Sequence, residues 1–213
     1  MTRYILIGTG EHARVLADAM RACGLELSAV ASPDAPMLTG PLTGLSHLAS
    51  DEEVMALGPE GILLVNGIGS IARPHKRRAA FEKFHAAGFR FASVVHPSAV
   101  IASHVDIEGG AQIMAGVVVQ TGARIGADAL LNTGALVDHD CRIGQHVHIA
   151  PGACLSGNVS VGNTSHVGIG ACVIQGRTIG ADVVVAAGAV VISDIPDGAT
   201  VAGVPARTIQ RCA

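Results

Sequence analysis

From Ile101 onward an aliphatic side chain returns at every sixth position: Ile101, Ile107, Ile113, Val119, Ile125, Leu131, Val137, Ile143, Ile149, Leu155, Val161, Val167, Val173, Ile179, Val185 and Val191. All sixteen are Ile, Leu or Val, a regularity that chance does not produce and that marks an internal repeat. Two positions ahead of each stands a small or modest side chain, from Ala99, Val105 and Ala111 through Cys141 and Ser165 to Ala189, broken only by Arg177. Glycine often follows the aliphatic residue, as at Gly126, Gly144, Gly162, Gly168 and Gly180, where the pattern predicts tight turns. This is the hexapeptide rule of a parallel β-helix, in which strands stack about 4.8 Å apart.

Residues 1–95 lack that period and read instead as alternating strands and helices. The run from Tyr4 to Gly10 predicts a buried strand entering a glycine turn, followed by a helix over 11–23 carrying Val15, Leu16, Ala19 and Met20. Further strands are expected at Leu27–Ala31 and Gly61–Asn66, and a helix at Lys76–Ala87, before the β-helix begins near His96-Pro97. The chain therefore divides into 1–95, an α/β Rossmann-like half domain, and 96–213, an all-β parallel β-helix with a C-terminal tail.

Gly8-Thr9-Gly10-Glu11-His12-Ala13 fits the GxGxxA form of the dinucleotide fingerprint, placed between strand and helix as a phosphate cradle requires. About 95 residues hold one mononucleotide-binding half, whereas a whole nicotinamide dinucleotide takes two, so a nucleotide-sugar fits better than NAD. Gly8, Gly10 and His12 are the candidate substrate contacts. The same glycines would equally serve a plain tight βα turn. Asp34 stands either where an acid meets a ribose or base, or simply in the loop Ser32-Pro33-Asp34-Ala35-Pro36.

Composition sharpens the picture. Hydrophobic residues make up 49% of the 213, yet aromatics are 2% and Trp is absent, so the core is narrow and built from small and branched side chains. A net charge of −3 gives no basic field of the kind that draws a protein to nucleic acid or anionic lipid. The opening apolar run is too short for a secretory signal, and no later stretch reaches the ~18 apolar residues of a membrane span, which predicts a cytoplasmic protein. Five cysteines, at 23, 141, 154, 172 and 212, without CxxC spacing, read as reduced thiols rather than a disulfide framework or a zinc site.

The stretch Leu131-Asn132-Thr133-Gly134-Ala135-Leu136-Val137-Asp138-His139-Asp140-Cys141-Arg142-Ile143-Gly144 resembles the active-site segment of the sialic acid O-acetyltransferase family. That family includes bacterial N-acetyltransferases of nucleotide-linked 4-amino sugars. The likeness continues through His148-Ile149-Ala150-Pro151-Gly152-Ala153 and Gly157-Asn158-Val159, and takes in the His96-Pro97-Ser98-Ala99 entry and the Ala202-Gly203-Val204-Pro205-Ala206-Arg207 exit. The resemblance implies a left-handed β-helix, against the usual right-handed crossover, with three hexads per triangular coil of 18 residues. It implies acetyl-CoA as co-substrate, a nucleotide-linked amino sugar of the 4-amino-4,6-dideoxy type as acceptor, and a homotrimer with acetyl-CoA in clefts between neighbouring β-helices.

By the same resemblance His139 is the general base and Asp140, where relatives carry Glu, orients or polarises it. His148 is expected near the thioester of acetyl-CoA, Gly157 to present its backbone to the acetyl group, and Pro205, Ala206 and Arg207 to lie near the nucleotide end. Gly157 is His139 plus 18 and Asn158 is Asp140 plus 18, so base and amide donor belong on adjacent rungs. A histidine suits proton removal near neutral pH, and an N–H beside it suits a tetrahedral oxyanion.

Other readings of these residues lead elsewhere. In His146-Val147-His148, strand alternation would point both rings one way, but no third ligand has suitable spacing and no metal is expected. Cys141 beside the base invites an acyl-enzyme, yet it occupies the inward column, where a thiol behaves as an apolar group, so direct transfer is expected. Arg73, His75, Lys76, Arg77 and Arg78 form a basic cluster, either a solvated helix start or a phosphate contact. O-acetylation of a sialic-acid-like sugar, or a β-helical binding module without catalysis, are the alternative functions.

Overall fold

The computed structural model describes residues 2–34, 38–70 and 74–209. Apolar runs without alternation make strands buried on both faces, and three of them build the N-terminal sheet: β1 (Arg3–Ile7), β2 (Leu27–Ala31) and β4 (Ile62–Asn66). Two short strands, β3 (Ser46–Leu48) and β5 (Arg90–Phe91), flank them in the all-parallel order β3-β2-β1-β4-β5. Helix α1 (Glu11–Ala22) follows the glycine turn, α2 (Asp51–Ala56) follows β3, and α3 (His75–Ala86) follows β4. β3, α2 and β5 lie outside the sequence reading, being too short for a periodic signal; Ser50 nevertheless caps α2 through its hydroxyl, which accepts from the Glu53 N–H at 3.3 Å.

The buried stripe of α1 is Ala13, Leu16, Ala17, Met20, the i, i+3, i+4, i+7 pattern of a helix. Val15 falls off that stripe and is 51% exposed. All four phenylalanines, Phe81, Phe84, Phe89 and Phe91, pack between α3 and the sheet. The scarce aromatic residues are thus spent here, and none enters the β-helix.

Beyond Val94 the chain winds into three parallel sheets of two-residue strands around one aliphatic core. Each strand pairs with the one 18 residues away, as in Val118↔Leu136, Arg124↔Arg142 and Leu130↔His148. The first residue of each strand faces outward and the second, the aliphatic of the hexad, inward. Fourteen of the sixteen are buried; Ile101 and Ile107, at the first turn, are half-buried. At the far end the last turn shortens, Val184 pairing with Thr200, and Thr200–Ala202 closes against the antiparallel Arg207–Thr208.

The corners correct one expectation. Left-handed backbone falls not on the glycines that follow the aliphatic residue but further along each hexad, in columns such as Gly122, Asp140, Asn158, Gly176 and Gly110, Asp128, His146, Thr164, Asp182, Gly198. Gly126, Gly144, Gly162, Gly168 and Gly180 are required for a different reason. A β-carbon at Gly126 would come within 2.7 Å of the Gly144 carbonyl carbon, and one at Gly162 within 2.5 Å of the Ala181 nitrogen, because the next coil passes directly over them.

The three faces differ outwardly. One presents Asp106, Arg124, Arg142, Ser160 and Thr178 to solvent. A second, carrying Val94, Gln112, Leu130 and His148, lies under the N-terminal sheet and α1, with Val94, Met114 and Leu130 in the same core as Leu16 and Met20. The third carries Val100, Val118, Leu136, Cys154, Cys172 and Val190 outward. Among the described residues no helix is long and apolar enough to cross a membrane.

Candidate active site

His139 and Asp140 stand on the corner between the strands Leu136–Val137 and Arg142–Ile143. Asp140 holds the left-handed conformation there, φ +57°, which Asp tolerates better than most residues. The turn brings its carboxylate back onto its neighbour: His139 Nδ1–H donates to Asp140 Oδ2 at 2.9 Å. The His139 N–H is held by Asp138 Oδ1 at 2.7 Å. With Nδ1 occupied as donor, Nε2 of the neutral ring is the free acceptor. The hydrogen bond to Asp140 raises the His139 pKa above its ordinary value, assisted by the charge of Asp138.

Two glycines make room for this pair. One coil later Gly157 lies beneath the ring, so close that a β-carbon there would collide with Nε2. One coil earlier a β-carbon on Gly122 would reach within 2.5 Å of Asp140 Oδ1. The Asn158 N–H donates to the His139 carbonyl at 2.8 Å, locking the two rungs, while the Gly157 N–H meets no acceptor among the described residues. Cys141 points inward, its thiol donating to the Ser156 carbonyl at 3.3 Å and its pKa raised by burial.

His148 lies elsewhere. It projects from the face under the N-terminal sheet, which is opposite the corner bearing His139 in a three-sided coil. It is 5% exposed and packs edge-on against His166, 18 residues on, with ring centroids 4.8 Å apart. The Asn132 amide donates to its Nε2 at 3.3 Å, and its Nδ1 is buried. Burial, then the nearby charges of His166 and Arg77, pushes its pKa down to about 3. His146 does not point the same way: it sits at a left-handed corner, φ +57°, where strand alternation does not apply, and its Nδ1 meets Asp128 Oδ2 at 3.0 Å. Among the described residues no group of three metal-ligating side chains comes together.

The glycine turn ends β1. Gly8 has φ +92° and Ile68 against it, so the backbone itself demands glycine. Gly10, the N-cap of α1, has φ −70° and nothing within 4 Å of where a β-carbon would stand. Neither packing nor conformation of the chain explains it. A cleft of about 320 Å³ opens beside Gly8, between Pro33, Ile68, Asp51 and Lys83. Asp34 follows Pro33 in an exposed bend, next to residues outside the described set. His12 turns onto the β-helix, where Nε2–H donates to Gln112 Oε1 at 2.8 Å, and burial lowers its pKa to about 4.

At the other end of the coil Ala206 and Arg207 line a second cleft of about 360 Å³, with Ile192, Asp194 and Pro196. Pro205 precedes them, and the Ala206 N–H donates to the Val190 carbonyl at 2.7 Å. The basic cluster divides. Arg78 pairs with Glu82 at 2.8 Å on the surface, Arg73 lies outside the described residues, and Arg77 is 1% exposed in an ion pair with Asp128 at 2.7 Å. It is neither a solvated helix start nor a free phosphate contact. The sequence reading missed Asp128, Gln112 and Asn66, which surround it; the one signal was a polar Gln112 between the apolar Val94 and Leu130 in the outward column that continues to His148 and His166.

An Asp-oriented histidine on the corner of a hexapeptide coil defines an acyltransferase of β-helical type. Comparison with solved structures specifies the group. The chain aligns over 99% of its length with 98% of the GDP-perosamine N-acetyltransferase PerB from Caulobacter crescentus, at 38% identity and TM-score 0.88; that structure holds CoA and GDP-perosamine. It aligns over 98% of its length with all of the acetyltransferase domain of PglB from Neisseria gonorrhoeae, solved with acetyl coenzyme A, at 35% identity and TM-score 0.87. WeeI from Acinetobacter baumannii matches over 98% of this chain and 100% of its own at 25% identity and TM-score 0.85. The chain belongs to the left-handed β-helix hexapeptide acetyltransferases. No family model and no curated protein sequence matches it.

Proposed function

We propose that this protein moves the acetyl group of acetyl-CoA onto the amino group of a nucleotide-linked amino sugar of the 4-amino-4,6-dideoxy type, with His139 as general base. The observation that carries this reading is the Asp140 carboxylate on Nδ1 of His139, which leaves Nε2 as the basic nitrogen, lying against the bare α-carbon of Gly157 one coil on. Nε2 takes one proton from the sugar ammonium, the amine attacks the thioester carbonyl, the Gly157 N–H steadies the oxyanion, and collapse expels CoA thiolate, which takes the second proton from the nitrogen to leave as the thiol while His139 returns its proton to solvent. Cys141, turned inward, supports direct transfer. Relatives lend support: PerB has also been solved with a single histidine replaced by alanine or by asparagine, each with CoA and GDP-perosamine bound.

In this reading residues 1–95 form a Rossmann-like half domain that holds the sugar nucleotide, and 96–213 the catalytic coil. The strand order β3-β2-β1-β4-β5 supports it, since a crevice at the carboxyl ends of such strands is where nucleotides bind. The openness around Gly10 and the cleft at Gly8 support phosphate and base positions there, with Asp34 next to the lining Pro33 and His12 joining this end to the coil. Ala206 and Arg207, with Pro205 just before them, belong in this reading to the groove for the nucleotide end of CoA.

The assembly in this reading is a homotrimer. Two features support it: His139 and His148 lie on opposite sides of one coil, so one active site using both draws on two chains; and Leu136 (42%) and Val100 (62%) expose an apolar stripe on the one face neither polar nor covered. A reaction fed by acetyl-CoA places the enzyme in the cytoplasm. A thiol-release assay with acetyl-CoA and a panel of nucleotide-linked amino sugars and sialic acids tests the function. Turnover is expected with the amino sugars; turnover only with sialic acids makes it an O-acetyltransferase, and none with any acceptor makes it a binding module.

A further inference from the structure

Arg77 is the most deeply buried cation among the described residues, and its hydrogen bonds all run to groups that border the N-terminal cleft or belong to the coil. Nη1 donates to the carbonyls of Asn66 at 3.0 Å and Ile68 at 3.1 Å; Nη2 donates to Asp128 Oδ1 at 2.7 Å. Asn66 ends β4, and its amide donates to the same Asp128 oxygen at 3.0 Å and to the Arg77 carbonyl at 3.0 Å. Gln112, from the coil, donates to the Asn66 carbonyl at 2.8 Å and accepts from Arg77 and His12. Asp128 in turn accepts from His146.

Isolated ion pairs in a protein interior seldom stabilise a fold more than apolar side chains of the same size would. Their use lies in fixing one arrangement. Here the arrangement fixed is the loop Asn66-Gly67-Ile68, which packs on Gly8 and forms one wall of the cleft. We propose that Arg77, seated on Asp128 of the coil, is a positioning residue for the acceptor substrate: it clamps the 66–68 wall of the nucleotide cleft and sets that cleft at one fixed distance from the catalytic corner. The proposal rests on the reading that the cleft holds the nucleotide of the sugar substrate.

Arg77→Lys tests it, since lysine keeps the charge opposite Asp128 but, lacking the guanidinium fork, does not span both carbonyls and the carboxylate. In the full-length protein, amide exchange at 66–70 is expected to speed up by at least about tenfold with exchange in the coil unchanged. The KM for the nucleotide sugar is expected to rise by about tenfold, with that for acetyl-CoA unaltered. Gln112→Met, which removes a support from the coil side without touching the cleft, is expected to shift both readouts in the same direction and serves alone if Arg77→Lys does not fold. Unchanged exchange at 66–70, or equal losses for both substrates in a folded variant, overturns the proposal. If the wild-type protein binds neither GDP nor UDP by calorimetry, it is the nucleotide reading that fails, and the exchange measurement still decides the clamp.

Discussion

The imidazole of His139 lies over the α-carbon of Gly157, one coil further on, where a β-carbon would overlap Nε2. Gly157 does not have a left-handed backbone, so alanine there strains no torsion. Gly157→Ala is expected to fold with an unchanged melting temperature yet lose kcat by about 10²-fold, the effect of moving a reacting group by about 1 Å. Retention of full kcat would remove the His139–Gly157 juxtaposition from the mechanism.

His139→Ala is expected to lower kcat by about 10²- to 10⁴-fold while both substrates still bind, measured by turnover and calorimetry together. On the proposed mechanism the base works as the neutral ring, so the rate is expected to rise with pH through its folded-state pKa, which Asp140 holds above the ordinary value. Asp140→Asn is expected to shift that acidic limb to lower pH and to cost less than His139→Ala. A limb that stays in place would show that another group titrates.

Gly8 and Gly10 separate structure from binding. Valine at Gly8 meets a φ of +92°, a strain of about 1–2 kcal/mol or more, so instability is expected. Valine at Gly10 meets open space. Gly10→Val is expected to cost about 1 kcal/mol at the N-cap of α1 and to keep its acetyl-CoA affinity while the KM for the sugar nucleotide rises. An equal loss of acetyl-CoA affinity in the folded variant would move the phosphate site elsewhere.

Leu136→Glu places a charge on the exposed apolar stripe. Light scattering is expected to show a fall from the trimer mass to the monomer, with loss of activity in step. A wild-type monomer with full activity would refute the shared site.

His12 and His148 are held neutral, with pKa values of about 4 and about 3 against an ordinary 6.5. The unfolded chain takes up a proton at each below about pH 6.5 and the folded chain does not, so their contribution is whole above that pH and is lost as pH falls, by about 1.4 kcal/mol per unit per group. Urea midpoints at pH 7, 6 and 5 are expected to fall steadily, and less steeply in His148→Gln. Equal slopes in the two proteins would mean His148 is protonated in the fold.

Where single residues repeat with a fixed step, the sequence is enough to read the structure. Ile113 to Val191 all turn inward because a period of six admits no other register, and that step, taken with the three hexads per coil that the family resemblance implies, places His139 over Gly157 before any coordinates are known. β1, β2 and α1 were legible because apolar runs and a 3.6-residue stripe have one meaning each. The two-to-six-residue elements β3, α2 and β5 were not, since a segment that short takes its conformation from what it pairs with.

Other features depended on contacts between distant residues. Arg77 reads as one of five basic residues within six positions until α3 folds it onto Asp128, 51 positions away, where desolvation requires a counter-ion. The divergence of His146 from His148 came from a corner that interrupts strand alternation. Local pattern therefore determined the coil and its inward residues, and the family resemblance pointed to the His139–Asp140 pair, because repeat, turn and neighbour are all short-range. Only the tertiary structure decided that His148 faces away from His139, that His12 belongs to the junction with the coil, and that a buried ion pair joins the two halves, because burial is a property of what packs above a residue and not of what stands beside it.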